Sequence, residues 1–244
     1  MSASPINPPT SVILLDVEGT TTPIDFVYKV LFPYARAHAE DFLALHQSEL
    51  ADDIEGLMRE NAEDIARGVN PPPIGSATVD ELAAYVCWLM DQDRKATPLK
   101  SLQGKIWQAG YVAGALHSQV FEDVPPAFKR WIGQGKDICI YSSGSVLAQK
   151  LLFANTEAGD LTPFLSAYFD TNTGPKTAAE SYRRIADALK LRPSAMVFVS
   201  DVTAELEAAR AAGLQTILCL RPGNVPQTDA SEYPAVHSFN EMSP

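Results

Sequence analysis

Short unbroken apolar runs recur along the chain, and each closes on a polar residue. Val12 to Leu15 ends at Asp16, Ile138 to Tyr141 at Ser142, and Met196 to Val199 at Ser200 and Asp201, while Thr216 to Leu220 gives a further run. "SAYFD", from Ser166 to Asp170, is a less regular candidate of the same kind. Runs of this length bounded by turn residues are how strands covered on both faces of a parallel sheet read. Between them lie helical periodicities over Ser145 to Asn155, Thr177 to Leu189 and Ala204 to Ala212, the last stopped by Gly213. Strands alternating with helices predict an α/β fold with a doubly wound parallel sheet and right-handed crossovers.

The stretch from about Phe26 to Leu116 departs from this rhythm. "FVYKVLFPYARAHAEDFLALH", "VDELAAYVCWLMDQDRK" and "LKSLQGKIWQAGYVAGAL" carry helical periodicity, with a break at "NPPPIGS" over Asn70 to Ser76. The expected organisation is an α/β domain made of residues 1–22 and 121–244, interrupted by an all-helical domain over 23–120. An insertion directly after the acid-bearing turn at Asp16 to Thr22 is well placed to act as a lid.

Composition narrows the chemistry. With 244 residues and 46% apolar content the chain can bury a good core. A formal net charge of -11 and the lack of a basic stripe argue against nucleic acid as a partner. The amino terminus "MSASPINPPTS" shows no cationic region followed by a long apolar one, and no later run is long enough to span a bilayer. A cytoplasmic protein without a membrane partner is therefore expected. Cys87, Cys139 and Cys219 are far apart and read as buried free thiols, and His38, His46, His117 and His237 are too scattered for a zinc site. "TGPKTA" at Thr173 to Ala178 looks like the end of a P-loop but lacks the upstream glycine at the required spacing.

Asp16, Ser142, Lys176 and Asp201 all fall at or near the ends of the predicted strands, the edge where open α/β sheets place their chemistry. Asp16 and Asp201 can supply oxygen ligands to a hard cation such as Mg²⁺. Ser142, Ser143 and Gly144 lead into a helix whose free N–H groups favour an anion, and Lys176 adds a positive charge. The combination points to phosphoryl transfer through an aspartate nucleophile, with the carboxylate of Glu18 to protonate the leaving oxygen and activate water.

With "LLDVEGT", "CIYSSG", Lys176 and "VFVSDVTAE" in that order, the chain resembles the haloacid-dehalogenase-like hydrolases, in the subgroup whose helical cap is inserted early. Glu18 stands where most members have aspartate. "DVEGTTTPIDFV", "DRKATPLKSLQGKIW", "IYSSGSVLAQKLLF" and "LRPGN" are in turn similar to the enolase-phosphatases of methionine salvage. That resemblance implies an enzyme that enolises 2,3-diketo-5-methylthiopentyl 1-phosphate and then removes the phosphate to give an acireductone, with one Mg²⁺ per subunit. It implies that Asp16 is nucleophile and metal ligand, and that Glu18 is the acid/base and offers its backbone carbonyl to the metal. Ser142 and Ser143, with Gly144, would hold the phosphate, Lys176 would neutralise it, and Asp201 would complete the metal site. Glu205 falls where relatives often place a further acid.

The cap would set specificity, and "LKSLQGKIW" offers Lys100, Gln103, Lys105 and Trp107 around Gly104, with Lys100 and Gln103 taken as substrate contacts and Trp107 as core. The expected partner is a small phosphorylated substrate, and the expected state is a monomer. Two other readings remain open on the residues themselves. One is a Mg²⁺-dependent phosphatase or phosphomutase acting on another small phosphometabolite. The other is a receiver-type binding module that holds a phospho-aspartate.

Overall fold

The computed structural model describes residues 10–243 of the chain. The expectation of no leader at the amino terminus concerns residues outside these, apart from Thr10 and Ser11. Two compact units are present, one comprising Met1–Val27 with His117–Pro244 and the other Tyr28–Leu116. The chain passes from the first to the second inside a wide π turn, Val27–Leu31. The sequence pattern places the boundaries at 22 and 121; Ile24–Phe26 forms a helical turn with Phe26 buried.

The first unit is built on a six-stranded parallel sheet in the order β3-β2-β1-β4-β5-β6. In chain order its elements are β1 (Val12–Leu15), α1 (Ile24–Phe26) and, after the inserted unit, α6 (Val124–Gly133) and β2 (Asp137–Tyr141). There follow α7 (Val146–Ala154), β3 (Leu165–Phe169), α8 (Ala179–Ala188), β4 (Met196–Ser200), α9 (Thr203–Ala211), β5 (Gln215–Cys219) and β6 (Ala235–Val236). The inserted unit holds α2 (Phe32–His46), α3 (Ala51–Ala66), α4 (Val79–Asp91) and α5 (Thr97–Val112). The doubly wound parallel sheet and the helical character of the insertion are thus as expected from the sequence.

β1 is the central strand, paired with β2 on one side and β4 on the other, and all four of its residues are buried. That double cover is why the strand reads as a continuous apolar run rather than an alternation. One face of the sheet packs Tyr141, Tyr182, Phe198 and Leu206 with Val12 and Leu14. Aromatic rings of Phe128, Trp131, Phe153 and Phe239 form a second cluster in the same unit.

Three elements escape the sequence pattern for identifiable reasons. α6 begins Val124-Pro125-Pro126, which reads as a break, yet proline is accommodated in a helix's first turn, where its missing N–H is not needed. β6 is only two residues long and too short to show a period. α3 is rich in acids, and its buried face includes Asp53, Asn61 and Asp64. Those polar groups are compensated: Asp64 accepts from Tyr85 Oη at 2.9 Å and from Arg94 Nη1 at 3.0 Å, and Asp53 pairs with Lys105. Cys87, Cys139 and Cys219 are free thiols, and the last two are buried in strands. Among the described residues no helix is long and apolar enough to cross a membrane.

Candidate active site

Strand register brings the polar residues together. Leu15 pairs with Ile140 and with Val199, so the next residues along, Asp16, Tyr141 and Ser200, lie at one level at the ends of their strands. This is the carboxyl edge where the strand order reverses on either side of β1, the crevice in which open α/β sheets bind ligands.

Asp16 is buried, and its Oδ1 accepts from its neighbour's N–H (Val17, 2.8 Å) and from Lys176 Nζ at 2.6 Å. Its Oδ2 faces the Ser200 hydroxyl at 3.3 Å. The turn that follows is closed by Thr21, whose hydroxyl donates to the carbonyls of Asp16 and Val17, and it carries half-buried Glu18. Gly19 adopts a φ of +69°, and a Cβ there would lie 2.4 Å from Asp201 Oδ2, so only glycine lets turn and acid approach this closely.

Lys176 is buried between Asp16 and Glu205, whose Oε2 lies 2.7 Å from its Nζ. Burial opposes the charge on Lys176, but the two carboxylates outweigh it and hold the ammonium above the usual lysine range. Its backbone is fixed by the Tyr182 hydroxyl, which donates to the Lys176 carbonyl at 2.7 Å from within the core. Thus a core tyrosine on α8 sets the position of the site's cation.

Asp201 follows β4 directly and is buried; burial first, then the charges of Asp16 and Glu205, push its carboxyl up to about 7. Glu205, in the first turn of α9, is raised by burial and then by Asp16, despite its contact with Lys176. Three acids thus gather around one lysine, leaving an excess of two negative charges when all are ionised. A divalent cation would balance that excess. Among the described residues no three acidic, histidine or cysteine side chains converge as a cage. Mg²⁺, however, commonly takes one or two carboxylates and completes its shell with waters and substrate oxygens. Asp16 and Asp201 therefore fit the donor chemistry of that ion.

Ser142 leaves β2 buried, its N–H donating to the Phe169 carbonyl at 3.2 Å and its hydroxyl accepting from the N–H of Gly144 at 3.1 Å. Ser143 and Gly144 are half-buried, and Ser145 caps α7 by accepting from Ala148 N–H at 3.3 Å. Gln149 reaches back to donate to the carbonyls of Gly144 and Phe169, both at 2.8 Å, so the Ser-Ser-Gly segment is held from two sides.

Lys100 and Gln103 lie on α5 in the helical unit, Gln103 buried and Lys100 half-buried. Trp107 is tied inside that unit by its indole N–H, which donates to the Leu31 carbonyl at 2.8 Å, and it packs near Phe32. Lys105 pairs with buried Asp53.

Sequence reasoning missed Ser200, which separates Asp16 from Glu205 by donating toward both and accepts the Val202 N–H. The signal was its place, immediately before the acid at a strand end. It also missed Gln149, whose signal was a polar residue one turn into a mostly apolar short helix.

A family described as haloacid dehalogenase-like hydrolase matches residues 10–213, which sets the class. "Enolase-phosphatase E1" of Synechococcus elongatus is 53% identical over 234 residues, covering 94% of this chain and 96% of the relative. The protein of the same name from Drosophila melanogaster is 47% identical over 223 residues, covering 89% and 86%. Among solved structures, the UTR4 protein of Saccharomyces cerevisiae superposes with a TM-score of 0.77 at 33% identity, covering 94% of this chain and 98% of that one. The chain belongs to the enolase-phosphatase E1 family of the haloacid dehalogenase-like hydrolases. It is a hydrolase, and the receiver-type reading falls with that membership.

Proposed function

We propose that the chain is a bifunctional enolase-phosphatase of methionine salvage. It converts 2,3-diketo-5-methylthiopentyl 1-phosphate to the enol phosphate and then to the acireductone 1,2-dihydroxy-3-keto-5-methylthiopentene and inorganic phosphate. The observation that carries the phosphatase half is the buried ammonium of Lys176, set against Asp16 at the carboxyl edge of β1. The enolase half rests on identity to relatives named for both activities over nearly the whole chain.

In this reading an oxygen of Asp16 attacks phosphorus and the ester P–O bond breaks, its electron pair going to the leaving oxygen, which takes a proton from Glu18. Glu18, now ionised, accepts a proton from the water that attacks the aspartyl-phosphate, and Asp16 is regenerated. Ser142, Ser143 and Gly144 hold the phosphoryl oxygens through hydroxyl and N–H donors, and Lys176 balances their charge. Asp16, Asp201 and the backbone carbonyl of Glu18 would hold one Mg²⁺, which when bound shields phosphate charge from the attacking carboxylate. Enolisation precedes these steps: a base removes a proton from the phosphate-bearing carbon, acidified by the adjacent carbonyl. Lys100 and Gln103 are proposed as contributors to substrate recognition. The reading carries with it a monomeric, cytoplasmic enzyme.

Proton NMR of the diketone phosphate in deuterium oxide tests the double activity. The enzyme is expected to produce an enol species or deuterium exchange at the phosphate-bearing carbon together with phosphate release. Phosphate release with neither above the enzyme-free rate would mark a plain phosphatase acting on this or another metabolite. Chelation is expected to abolish turnover and Mg²⁺ to restore it without refolding; restoration by Zn²⁺ but not Mg²⁺ would overturn the hard-cation assignment.

A further inference from the structure

The turn after Asp16 spends its internal acceptors on itself. The Val17 carbonyl takes the N–H groups of Thr20, Thr21 and Thr22 at 3.3, 3.0 and 2.9 Å and the Thr21 hydroxyl at 3.2 Å, while the Thr22 carbonyl takes Gly19 N–H at 2.8 Å. The carbonyls of Gly19 and Thr20 are left to find donors elsewhere. Both donors come from the loop Leu220 to Asn224 after β5. Asn224 Nδ2 donates to the Gly19 carbonyl at 2.9 Å and to the Cys219 carbonyl at 3.2 Å, and Arg221 Nε donates to the Thr20 carbonyl at 3.2 Å.

Arg221 is only 7% exposed. Its guanidinium lies between the rings of Phe121 and Phe239, 4.4 and 4.7 Å from their centroids, and its Nη1 donates to Asp123 at 2.8 Å and to the His237 carbonyl at 3.1 Å. Burying a guanidinium is costly unless its partners satisfy it; here Nε and Nη1 are paired, which fixes the plane and aims the Nε edge at the turn, while Nη2 is buried without a hydrogen-bond partner.

Asn224 carries a second observation. Two carbonyls require its amide nitrogen, which sends Oδ1 the other way, and this oxygen is buried without a hydrogen-bond partner. It lies beside Gly19, where a Cβ would be 2.9 Å from Asn224 Oδ1 and 2.4 Å from Asp201 Oδ2. Two acceptors therefore flank one α-carbon, one of them without a donor. The hydration shell of a cation held by Asp201 supplies such donors.

We propose that Arg221 and Asn224 are positioning residues of the reaction. By clamping the Thr20 and Gly19 carbonyls they fix the direction in which Glu18 is presented, and through Oδ1 Asn224 supports the Mg²⁺ site. This rests on the roles given above to Glu18 and Asp201. A merely structural role would be to staple the carboxyl-terminal segment to the core through Asp123 and His237.

Full-length variants separate the two. Asn224→Ala removes donor and acceptor, and is expected to lower kcat about tenfold or more with little change in KM, and to weaken Mg²⁺ binding to the substrate-free enzyme by about tenfold in calorimetry. Asn224→Asp keeps an acceptor but loses the donor, so kcat falls while Mg²⁺ affinity is retained. Arg221→Lys keeps the charge against Asp123 without the fixed edge, and a similar kcat loss is expected. If the variants shift only the thermal midpoint, with kcat and Mg²⁺ affinity within about twofold of wild type, the clamp is structural and the proposal fails. Glu18→Gln serves as the reference. If it is inactive while Asn224→Ala behaves as wild type, the clamp alone is wrong; if it turns over normally, the acid/base role of Glu18 fails and takes the clamp with it.

Discussion

Asp16→Asn is expected to reduce phosphate release by at least about 10⁴-fold, the scale on which removal of a covalent nucleophile acts. An amide oxygen is a poor nucleophile, and it brings no charge to a cation or to Lys176, which lies 2.6 Å from Asp16 Oδ1. The first half of the reaction should respond differently. Enolisation breaks a C–H bond and needs no attack on phosphorus, so the variant, at Mg²⁺ concentrations shown by titration to fill the site, should still exchange the protons of the phosphate-bearing carbon with deuterium oxide. Loss of phosphate release with retained exchange separates the two activities in one sample. Substantial phosphate release by a folded Asp16→Asn protein would show that this carboxylate is not the nucleophile.

Lys176→Met is expected to slow turnover by roughly 10²- to 10³-fold, the effect of losing one preorganised charge donor. It should also destabilise the fold, because Asp16, Glu205 and Asp201 would be left gathered without their cation. Removing one partner of a buried pair typically costs about 3–5 kcal/mol. Mg²⁺ should therefore raise the thermal midpoint of the variant more than that of wild type, since it binds a folded site with one more uncompensated negative charge. Kinetics at saturating Mg²⁺ and below the variant's midpoint isolate the catalytic loss. A change within about threefold there would remove Lys176 from the chemistry.

Sequence pattern recovered the parallel sheet because β1, β2 and β4 are buried on both faces and read as apolar runs whatever surrounds them. β3 was harder to see, since four of its residues are half-buried and one is exposed, and an edge strand has less reason to be apolar. In the site, Asp16, Ser142 and Asp201 were legible as polar residues at the ends of such runs. Lys176 was legible less directly, as a lysine some way past a strand end: it lies in no regular element, and its burial depends on a tyrosine hydroxyl from α8 and on two acids distant in sequence. Ser200 shows the same limit from the other side. Its hydroxyl matters only because strand register sets it level with Asp16, and register between parallel strands leaves no mark on either strand alone. Arg221 and Asn224 were visible only within a motif of resemblance, because the groups that tie them to the turn are backbone carbonyls, which every residue carries.

The hydrogen bond between Ser200 and Asp16 joins residues 184 positions apart, and the whole helical unit lies in the chain between them. Loop-closure entropy grows slowly with length, so this separation weighs little on stability, but pairing such distant parallel strands is slow. During synthesis β1 leaves the ribosome first and then waits for β2 and β4, the strands that cover it, while the helical unit, whose contacts are more local, is already complete. An unfinished chain ending before Met196 holds Asp16 without β4, Asp201 or Glu205. Truncated products of translation that end before Met196 thus carry the acid-bearing turn of β1 without the residues proposed to work with it.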